Sequence, residues 1–200
     1  MSDDTDEDLF SLLDELRVMA QVGLRYADDP YNVERYERIL ALVSEWYGRS
    51  VSLPAEEVRE RFAREVGHVT AKVSANAAVF DEAGRPLLQL RANDGFWGLP
   101  GGFTEPNESP RETAVRETKE ETGLTVELTD LVGIYTRKPG QYGPHSTVIH
   151  LHSCVVTGGD LEASHESEAL RYRRVEDVTE WHKNHERLAL DAADYWTDST

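Results

Sequence analysis

Three glutamates stand close together in the stretch RETKEETG, which runs from Arg116 to Gly123. In a helix, Glu117, Glu120 and Glu121 take positions i, i+3 and i+4 and lie near one another. Two carboxylates about 4 Å apart repel by about 1 kcal/mol in water and by about 4 kcal/mol at an effective dielectric constant of 20. Carboxylate oxygens are also the ligands that a hard divalent cation such as Mg²⁺ prefers. The stretch is therefore either a solvated acidic face or a metal site.

Helix-capping residues flank these glutamates on both sides. Ser109 is a favourable N-cap, and Glu112, three residues later, completes a capping box. Pro110 suits the first helical position, and Gly123 suits the left-handed position just past the end. A helix is therefore predicted from Pro110 to Thr122. Its C-terminal half carries the glutamates, although the helix dipole disfavours negative charge there.

The predicted helix has two sides. Ala114, Val115, Thr118 and Thr122 form the inner side, and the three glutamates lie towards another side together with Arg116. The preceding stretch, GFWGLPGGFTEPNE, is rich in glycine and proline, so its backbone can approach the glutamates closely. A backbone carbonyl there would suit Mg²⁺ together with the carboxylates, and the cation would offset their repulsion.

The spacing of these residues resembles the Nudix box, Gly-x5-Glu-x7-Arg-Glu-U-x-Glu-Glu-x-Gly-U, in which U is bulky and aliphatic. One position departs from this pattern, because Thr118 stands at the first U. Its β-branched side chain can pack there, and the preceding WGLPGG resembles the usual approach to the box. The resemblance gives Glu108 a structural role or a place outside the ligand shell. The matching residues are Gly102, Glu108, Arg116, Glu117, Glu120, Glu121, Gly123 and Leu124.

The resemblance implies an α/β fold, a sandwich in which a mixed β-sheet lies between helices. It also implies hydrolysis of a nucleoside diphosphate linked to another group, X. The implied ligands of Mg²⁺ or Mn²⁺ are Glu117, Glu120 and Glu121, with the carbonyl of Gly102 as an addition. Arg116 would pair with a glutamate of the box, such as Glu120 four residues on, and hold it in place. The cations would neutralise phosphoryl oxygens and activate water.

The general base varies across the family, so the box does not identify it. The downstream loop GGDLEASHESEAL offers Glu166 as the favoured base or additional ligand, ahead of Glu168 and Glu162. Each of these is alternatively a solvated loop glutamate. Glu120 or Glu121 acting as the base within the box remains an alternative.

Basic and aromatic residues outside the box are candidates for substrate contacts. Trp97 either stacks on a nucleotide base or belongs to the core. Arg91, Arg137 and Lys138 either contact phosphates or are ordinary surface cations. In a chain with a net charge of −17, such groups and a bound metal must attract an anionic substrate.

Histidine and cysteine indicate no second site. The pairs His150/His152 and His182/His185 are interpreted as ordinary strand and helix positions, because no third ligand has matching spacing. Cys154 is the only cysteine, so an internal disulfide is excluded and a buried position is expected.

Around the box the chain divides near Gly67. Residues 1–66 show helical apolar periodicity in three segments, which predicts a small all-helical N-terminal domain with Trp46 and Tyr47 in its core. Residues 67–200 mix strands and helices and are predicted to form the Nudix domain. There, VTAKVSANAAVF and LLQLRA predict a hairpin around the turn DEAGRP, and EWHKNHERLALDAADYW predicts a terminal helix.

The N-terminal helices imply a subgroup and an assembly. The segment from LDELRVMAQVGLRYADDPYNVERYERILALV to LPAEEVRERFAREVGHVTAKV resembles the helical N-terminal domain of CDP-choline and ADP-ribose pyrophosphatase-like Nudix enzymes. This implies ADP-ribose or CDP-choline as the first substrates to try. Three short helices make a poor core on their own, so they are expected to dock either on the second domain or on a second subunit, and a homodimer is the expected assembly. The alternatives are a pyrophosphohydrolase of nucleoside triphosphates, including oxidised ones, and a non-catalytic nucleotide sensor.

Composition argues against other partners. The net charge of −17 lacks the basic footprint that nucleic-acid binding requires, so no stable nucleic-acid partner is expected. No apolar run reaches the length of a membrane span. The N-terminal MSDDTDEDLF lacks the regions of a signal peptide, so a cytoplasmic location is expected.

The charge pattern predicts a dependence on salt. Acidic residues occur along the whole chain, and only four of the 21 basic residues are lysines, as in proteins of salt-accumulating archaea. The alternative is an ordinary acidic protein from a GC-rich genome. At about 1 M salt the Debye length is about 3 Å, so self-repulsion is largely screened. We expect the thermal unfolding midpoint to rise steeply with KCl, whereas a flat response would contradict this interpretation.

Overall fold

The computed structural model describes residues 3–51, 54–63, 70–139, 141 and 145–199. Tertiary contacts divide the chain into two compact units, Met1–Ala71 with Arg137–Thr147, and Lys72–Thr136 with Val148–Thr200. The predicted domain boundary at Gly67 lies outside the described residues, so the division between residues 66 and 67 stays a prediction. Among the described helices, none has the length and apolar character that crossing a bilayer requires.

Three helices build the first unit: α1 (Asp3–Tyr26), α2 (Pro30–Val51) and α3 (Ala55–Ala63). The ring of Tyr47 packs edge-on against Phe62, with the ring centroids 5.4 Å apart. The side-chain amide of Gln21 donates to the carbonyl of Phe62 at 2.7 Å and so ties α1 to α3. The apolar core consists of Leu13, Val43, Tyr47, Val58 and Phe62.

Part of the apolar surface of α1 and α2 lies outside this core. Leu12 is 52% exposed and Trp46 is 48% exposed, so the prediction that Trp46 belongs to the core is wrong. Trp46 follows the exposed Leu42 by four positions, which places both on the same face of α2. These side chains border an apolar groove of about 430 Å³ between the two helices, lined by Leu9, Leu12, Leu13, Leu16, Ile39, Leu42, Val43 and Trp46.

The strands of the described residues are β1 (Lys72–Val79), β2 (Leu87–Arg91), β3 (Trp97–Gly98), β4 (Gly101–Phe103), β5 (Thr125–Arg137), β6 (Thr147–Gly158) and β7 (Ser167–Tyr172). They form a larger sheet of order β4-β1-β6-β5 and a smaller one of order β3-β2-β7. The same part of the chain also has the α-helices α4 (Pro110–Thr122) and α5 (His185–Ser199) and a short 3-10 helix, Val175–Asp177.

The predicted hairpin of β1 and β2 is only partly correct. The turn between them is tight, with the N–H of Asp81 donating to the carbonyl of Arg85 at 3.1 Å. A single antiparallel bridge joins Phe80 to Pro86, and the two strands then enter different sheets. Pro86 has no N–H with which to extend the pairing. β2 pairs instead with β3 and β7.

The terminal helix begins at His185, later than predicted. The preceding residues are held against β3, because the N–H of His182 donates to the carbonyl of Trp97 at 2.8 Å. In return, the N–H of Trp97 donates to the carbonyl of Glu180 at 2.9 Å. Residues 180–182 therefore follow an extended path and cannot belong to the helix.

Helices cover both faces of the strands, which confirms the predicted α/β/α sandwich. Because side chains alternate along β1, Ala77 and Val79 face α4 while Ala78 faces α5. The α4 side contains Ala75, Ala77, Val79, Leu87, Ala114, Leu124, Val126 and Cys154. The α5 side contains Ala78, Leu88, Leu99, Ile149, Leu151, Val175, Val178, Leu188, Ala189 and Ala192.

The approach of β4 to α4 generates a prediction about Gly102. A methyl group on Gly102 would overlap the carboxylate of Glu117, whereas one on Gly158 would meet no described heavy atom within 4 Å. Both substitutions to alanine restrict the unfolded chain equally, so Gly158→Ala is the matched control. The carboxylate can shift because it ends a flexible side chain, but it would then lose its hydrogen bond from Arg116, so we expect Gly102→Ala to lower the free energy of unfolding by about 1–3 kcal/mol relative to Gly158→Ala in denaturant titrations. Equal stability of the two variants would contradict the close packing.

Candidate active site

Helix α4 has the bounds and caps that the sequence predicts. The side chain of Ser109 accepts from the N–H of Glu112 at 3.3 Å, and Glu112 accepts from the N–H of Ser109 at 2.8 Å. Pro110 occupies the first turn, and Gly123 adopts φ 76° at the C-terminal end. The N–H of Gly123 donates to the carbonyl of Lys119 at 3.0 Å. This capping fixes where each turn of the helix places its glutamates.

The three glutamates differ sharply in exposure. The side chain of Glu120 is 60% exposed and that of Glu117 is 15% exposed, whereas Glu121 as a residue is only 3% exposed. The placement of Glu121 on the same outer side as the other two is therefore wrong. It lies on the inner side, seven residues after Ala114 and three after Thr118, where its buried carboxylate accepts from the N–H of Gly101 at 2.7 Å.

Arg116 contacts the acidic residues from two directions. Its Nε and Nη2 donate to the two oxygens of Glu108 at 2.8 and 3.0 Å, a bidentate pair. Its Nη1 donates to Glu117 at 2.9 Å and to Glu120 at 3.1 Å, which includes the predicted pair with Glu120. Nη2 also donates to the carbonyl of Phe103 at 3.3 Å, so the guanidinium ties β4 to the helix.

Glu108 serves as the fixed anion that holds Arg116. The guanidinium lowers the pKa of Glu108 to about 2, with help from the N–H of Glu105 and the hydroxyl of Thr113. Those two groups donate to Glu108 at 3.1 and 2.8 Å. In the structure Glu108 therefore holds Arg116 in place, which agrees with the structural alternative for this residue.

Burial and neighbouring negative charge raise the pKa values of Glu117 and Glu121, the opposite of the effect on Glu108. Burial raises the pKa of Glu121 to about 7, and the charge of Glu117 adds to this, while Gln89 and Gly101 oppose it. Burial also raises the pKa of Glu117, as do the charges of Glu120 and Glu166, although Arg116 opposes the change. At neutral pH the site carries negative charge at an energetic cost, which a bound cation would offset.

The donor chemistry suits a hard divalent cation. The three glutamates offer only carboxylate oxygens, and the Gly102 backbone lies so close to Glu117 that a side chain there would overlap it. Within the part of the chain that the structure describes, no three His, Cys, Asp or Glu side chains already form a ready ligand group. Glu117 and Glu120 contact Arg116, and Glu121 contacts Gly101. The ligand set of Gly102, Glu117, Glu120 and Glu121 therefore stays a prediction.

Glu166 and Arg91 lie near the box. Glu166 raises the pKa of Glu117, and Arg91 lowers that of Glu121, so both are within electrostatic range of the glutamates. The carbonyl of Glu166 accepts from the N–H of Ala92 at 2.9 Å, which fixes the loop beside the end of β2. Their proposed roles remain untested, but their positions are compatible with them.

The other residues that were predicted to contact the substrate are Trp97, Arg137 and Lys138, and they lie in different surroundings. Trp97 is half-buried against the α5 core, and the guanidinium of Arg173 lies 5.0 Å from its ring centroid. One face of the indole is therefore already covered. Arg137 and Lys138 belong to the unit that contains the N-terminal helices, and their role as phosphate contacts stays a prediction.

Sequence reasoning missed Gln89. Its side chain is fully buried, lies beside Glu121 and accepts from the hydroxyl of Ser167 at 2.6 Å. The signal was the single polar residue within the apolar stretch LLQL, since a buried carboxamide requires polar neighbours.

The raised pKa of Glu121 predicts a stability effect. Its pKa is about 7 in the folded protein and 4.5 in an unfolded chain, so folding disfavours the ionised form above pH 4.5. With EDTA at pH 8, we expect Glu121→Gln to raise the free energy of unfolding by roughly 1–3 kcal/mol. The gain should shrink as the pH falls from 7 to 4.5, since the wild-type carboxyl becomes protonated. A loss of stability at pH 8 in denaturant titrations would contradict this assignment.

Comparisons with known proteins agree with the geometry of the box. Residues 70–192 match the NUDIX domain, and residues 7–62 match the family described as a UDP-X-like, N-terminal oligomerisation domain. A putative ADP-ribose pyrophosphatase of Bacillus subtilis is 32% identical over 157 residues, covering 76% of this chain and 74% of the relative. An ADP-ribose pyrophosphatase of Methanocaldococcus jannaschii is 32% identical over 117 residues, covering 56% and 68%.

A solved structure extends the similarity over both units. The crystal structure of a UDP-X diphosphatase superposes with a TM-score of 0.56 at 23% identity, covering 94% of this chain and 95% of that chain. At this identity the match bears on the fold alone. Taken with the domain matches and the relatives, the chain belongs to the Nudix family and is a Nudix hydrolase with a helical N-terminal domain.

Proposed function

We propose that this enzyme hydrolyses the diphosphate bond of a nucleoside diphosphate linked to X, with ADP-ribose as the first substrate to try. The reaction would give a nucleoside monophosphate and phospho-X and would require Mg²⁺ or Mn²⁺. One observation carries the proposal: Glu117 and Glu121 are buried carboxylates with raised pKa values, Glu117 accepts from Arg116, and the glycine backbone of β4 lies against both. The relatives that are named as ADP-ribose pyrophosphatases support this choice of substrate.

Each residue of the box has a role in this proposal. Glu117, Glu120 and Glu121 would hold the cation together with the carbonyl of Gly102. Bound there, the cation would neutralise phosphoryl oxygens and activate the attacking water. Arg116 would position Glu117 and Glu120, because it already donates to both.

Glu166 is our candidate for the general base. It is an exposed carboxylate whose charge reaches Glu117, so it lies at the edge of the glutamate group. Such a carboxylate can take a proton from the attacking water, a role typically worth 10²–10⁴ in rate. Glu120 or Glu121 is the alternative base.

A UDP-linked or CDP-choline-type compound is the second candidate for the substrate. The match of residues 7–62 to a UDP-X-like domain favours this candidate. A screen of nucleotide sugars, nucleotide alcohols and nucleoside triphosphates with Mg²⁺ or Mn²⁺ would separate it from ADP-ribose.

Turnover of the preferred substrate tests the assignment of the box. We expect Glu120→Gln to lower kcat by about a hundredfold or more with Mg²⁺ present, since even supporting groups of metal sites are worth about 10–100-fold. Because Glu120 is largely exposed, the variant should unfold at the wild-type temperature. Glu186→Gln, on the exposed surface of α5, is the matched control with wild-type turnover expected. Unchanged turnover in Glu120→Gln would contradict the assignment, and full activity in Glu166→Gln would return the base to the box.

We also propose that the enzyme is a homodimer formed through its N-terminal helices. The match to an oligomerisation domain supports this, as does the apolar groove between α1 and α2. Burying the exposed leucines of each copy in the dimer interface would stabilise the dimer by about 25 cal/mol for each Å² of apolar area removed from water.

Substitutions in the apolar groove test whether it forms the dimer interface. We expect Leu12→Glu with Leu42→Glu to halve the mass measured by light scattering, because charges would enter an apolar contact. Both side chains are exposed within the chain, so its own folding should survive. Tyr31→Glu, exposed but outside the groove, is the control and should keep the dimer mass. A wild-type mass for the double variant would rule out this surface.

We further propose a cytoplasmic location at high salt. The net charge of −17 and the scarcity of lysine support adaptation to salt. The KCl titration of thermal stability described above is the test.

A further inference from the structure

An aspartate–histidine pair lies outside the Nudix box. The Nδ1 of His182 contacts Oδ2 of Asp94 at 2.5 Å, and the other oxygen of Asp94 accepts from the N–H of Phe96 at 3.2 Å. Burial lowers the pKa of His182 to about 4, although Asp94 opposes this, so the ring is neutral at neutral pH. The neutral ring therefore carries its proton on Nδ1 and donates a hydrogen bond from it to the carboxylate of Asp94. The pair joins the loop after β2 to the segment before α5.

The backbone around this pair is also fixed. The N–H of His182 donates to the carbonyl of Trp97 at 2.8 Å. The N–H of Arg91 donates to the carbonyl of Phe96 at 3.0 Å, and the carbonyl of Arg91 accepts from Gly95 at 2.9 Å. The loop from residue 92 to residue 96 is therefore closed on itself and anchored through Asp94.

Arg91 lies where this loop meets the glutamates. The pairing of β2 with β7 shifts register between Leu90 and Arg91, and such irregularities redirect side chains at the ends of strands. Arg91 lowers the pKa of Asp94 and of Glu121, so its charge lies within range of both carboxylates. Its Nε is buried and has no hydrogen-bond partner among the described residues.

A buried donor without a partner is costly, so it is expected to find an acceptor in the working protein. Beside Glu121, at the edge of the box, the acceptor that the proposed reaction would bring is an anionic oxygen of the diphosphate. A guanidinium suits this task because its N–H groups match the geometry of phosphate oxygens.

We propose that Arg91 contacts the diphosphate of the substrate, and that Asp94 and His182 are positioning residues that hold Arg91 in place for this contact. This inference rests on the proposed function, because the proposed reaction identifies the anion as the diphosphate of the substrate. Asp94 provides a negative charge within electrostatic range of the guanidinium, and His182 fixes the orientation of Asp94. The pair does not touch the reacting atoms, so its effect passes through Arg91.

The experiment measures KM and kcat for ADP-ribose and, separately, the affinity for ADP with Mg²⁺ by calorimetry. We expect Arg91→Gln and His182→Leu each to raise KM and to weaken ADP binding by about tenfold, with a smaller change in kcat. His182→Asn should largely restore both values, because its amide can donate to Asp94 as Nδ1 does. Glu180→Gln changes an exposed charge on the same segment and is the matched control.

A double-mutant cycle separates positioning from general support of the fold. If His182 acts through Arg91, the variant carrying both Arg91→Gln and His182→Leu should bind ADP no more weakly than Arg91→Gln alone. Losses that multiply, or an unchanged ADP affinity in His182→Leu, would overturn the proposal. If His182→Leu does not fold, Asp94→Asn replaces it, since this variant has the same shape but lacks the charge.

The two proposals fail in different ways. Wild-type turnover of ADP-ribose with unchanged KM and ADP affinity in the Arg91 and His182 variants overturns only the positioning role. If the wild type cleaves no nucleoside diphosphate derivative while these variants lose ADP affinity as expected, the proposed reaction fails and the contact with the diphosphate stands.

Discussion

The ion pairs of Arg116 are the interaction on which the rest of the site depends. One guanidinium donates to Glu108, Glu117 and Glu120, so it both anchors the loop before α4 and restrains two of the crowded carboxylates. Glu108 stays ionised because its pKa is lowered to about 2, which keeps a fixed countercharge on Arg116. The repulsion that remains is concentrated on Glu117 and Glu121, whose pKa values are raised by burial.

The fold brings this group together from distant parts of the chain. β4 places the N–H of Gly101 on Glu121, and β2 ends with Arg91 beside the same carboxylate. The loop before β7 brings Glu166 within electrostatic range of Glu117. Stability and function therefore oppose each other here. The same burial that makes Glu121 costly to ionise also makes its oxygens strong partners for a cation.

Helix α4 could be predicted because its capping residues are close in sequence. The strand pairing and the start of α5 were harder to predict because they depend on contacts between distant parts of the chain. Ser109, Glu112 and Gly123 specify α4 within a few residues, and the structure has the same bounds. The burial of Glu121 follows from its place seven residues after Ala114 and three after Thr118, whereas its hydrogen bond comes from Gly101, twenty residues away in the chain. The split of β1 and β2 between two sheets and the late start of α5 also follow from pairings across the fold. The caps thus predicted the helix, while contacts across the fold decided which groups surround each carboxylate.

The central claim is that the crowded glutamates exist to bind a divalent cation. Calorimetric titration of Mn²⁺ into the wild type and into a variant with Glu117, Glu120 and Glu121 all changed to glutamine tests this claim without any substrate. We expect saturable binding to the wild type at pH 7.5, weaker binding as the pH falls below about 7, and no specific binding to the variant. Equal Mn²⁺ affinity in the two proteins would contradict it.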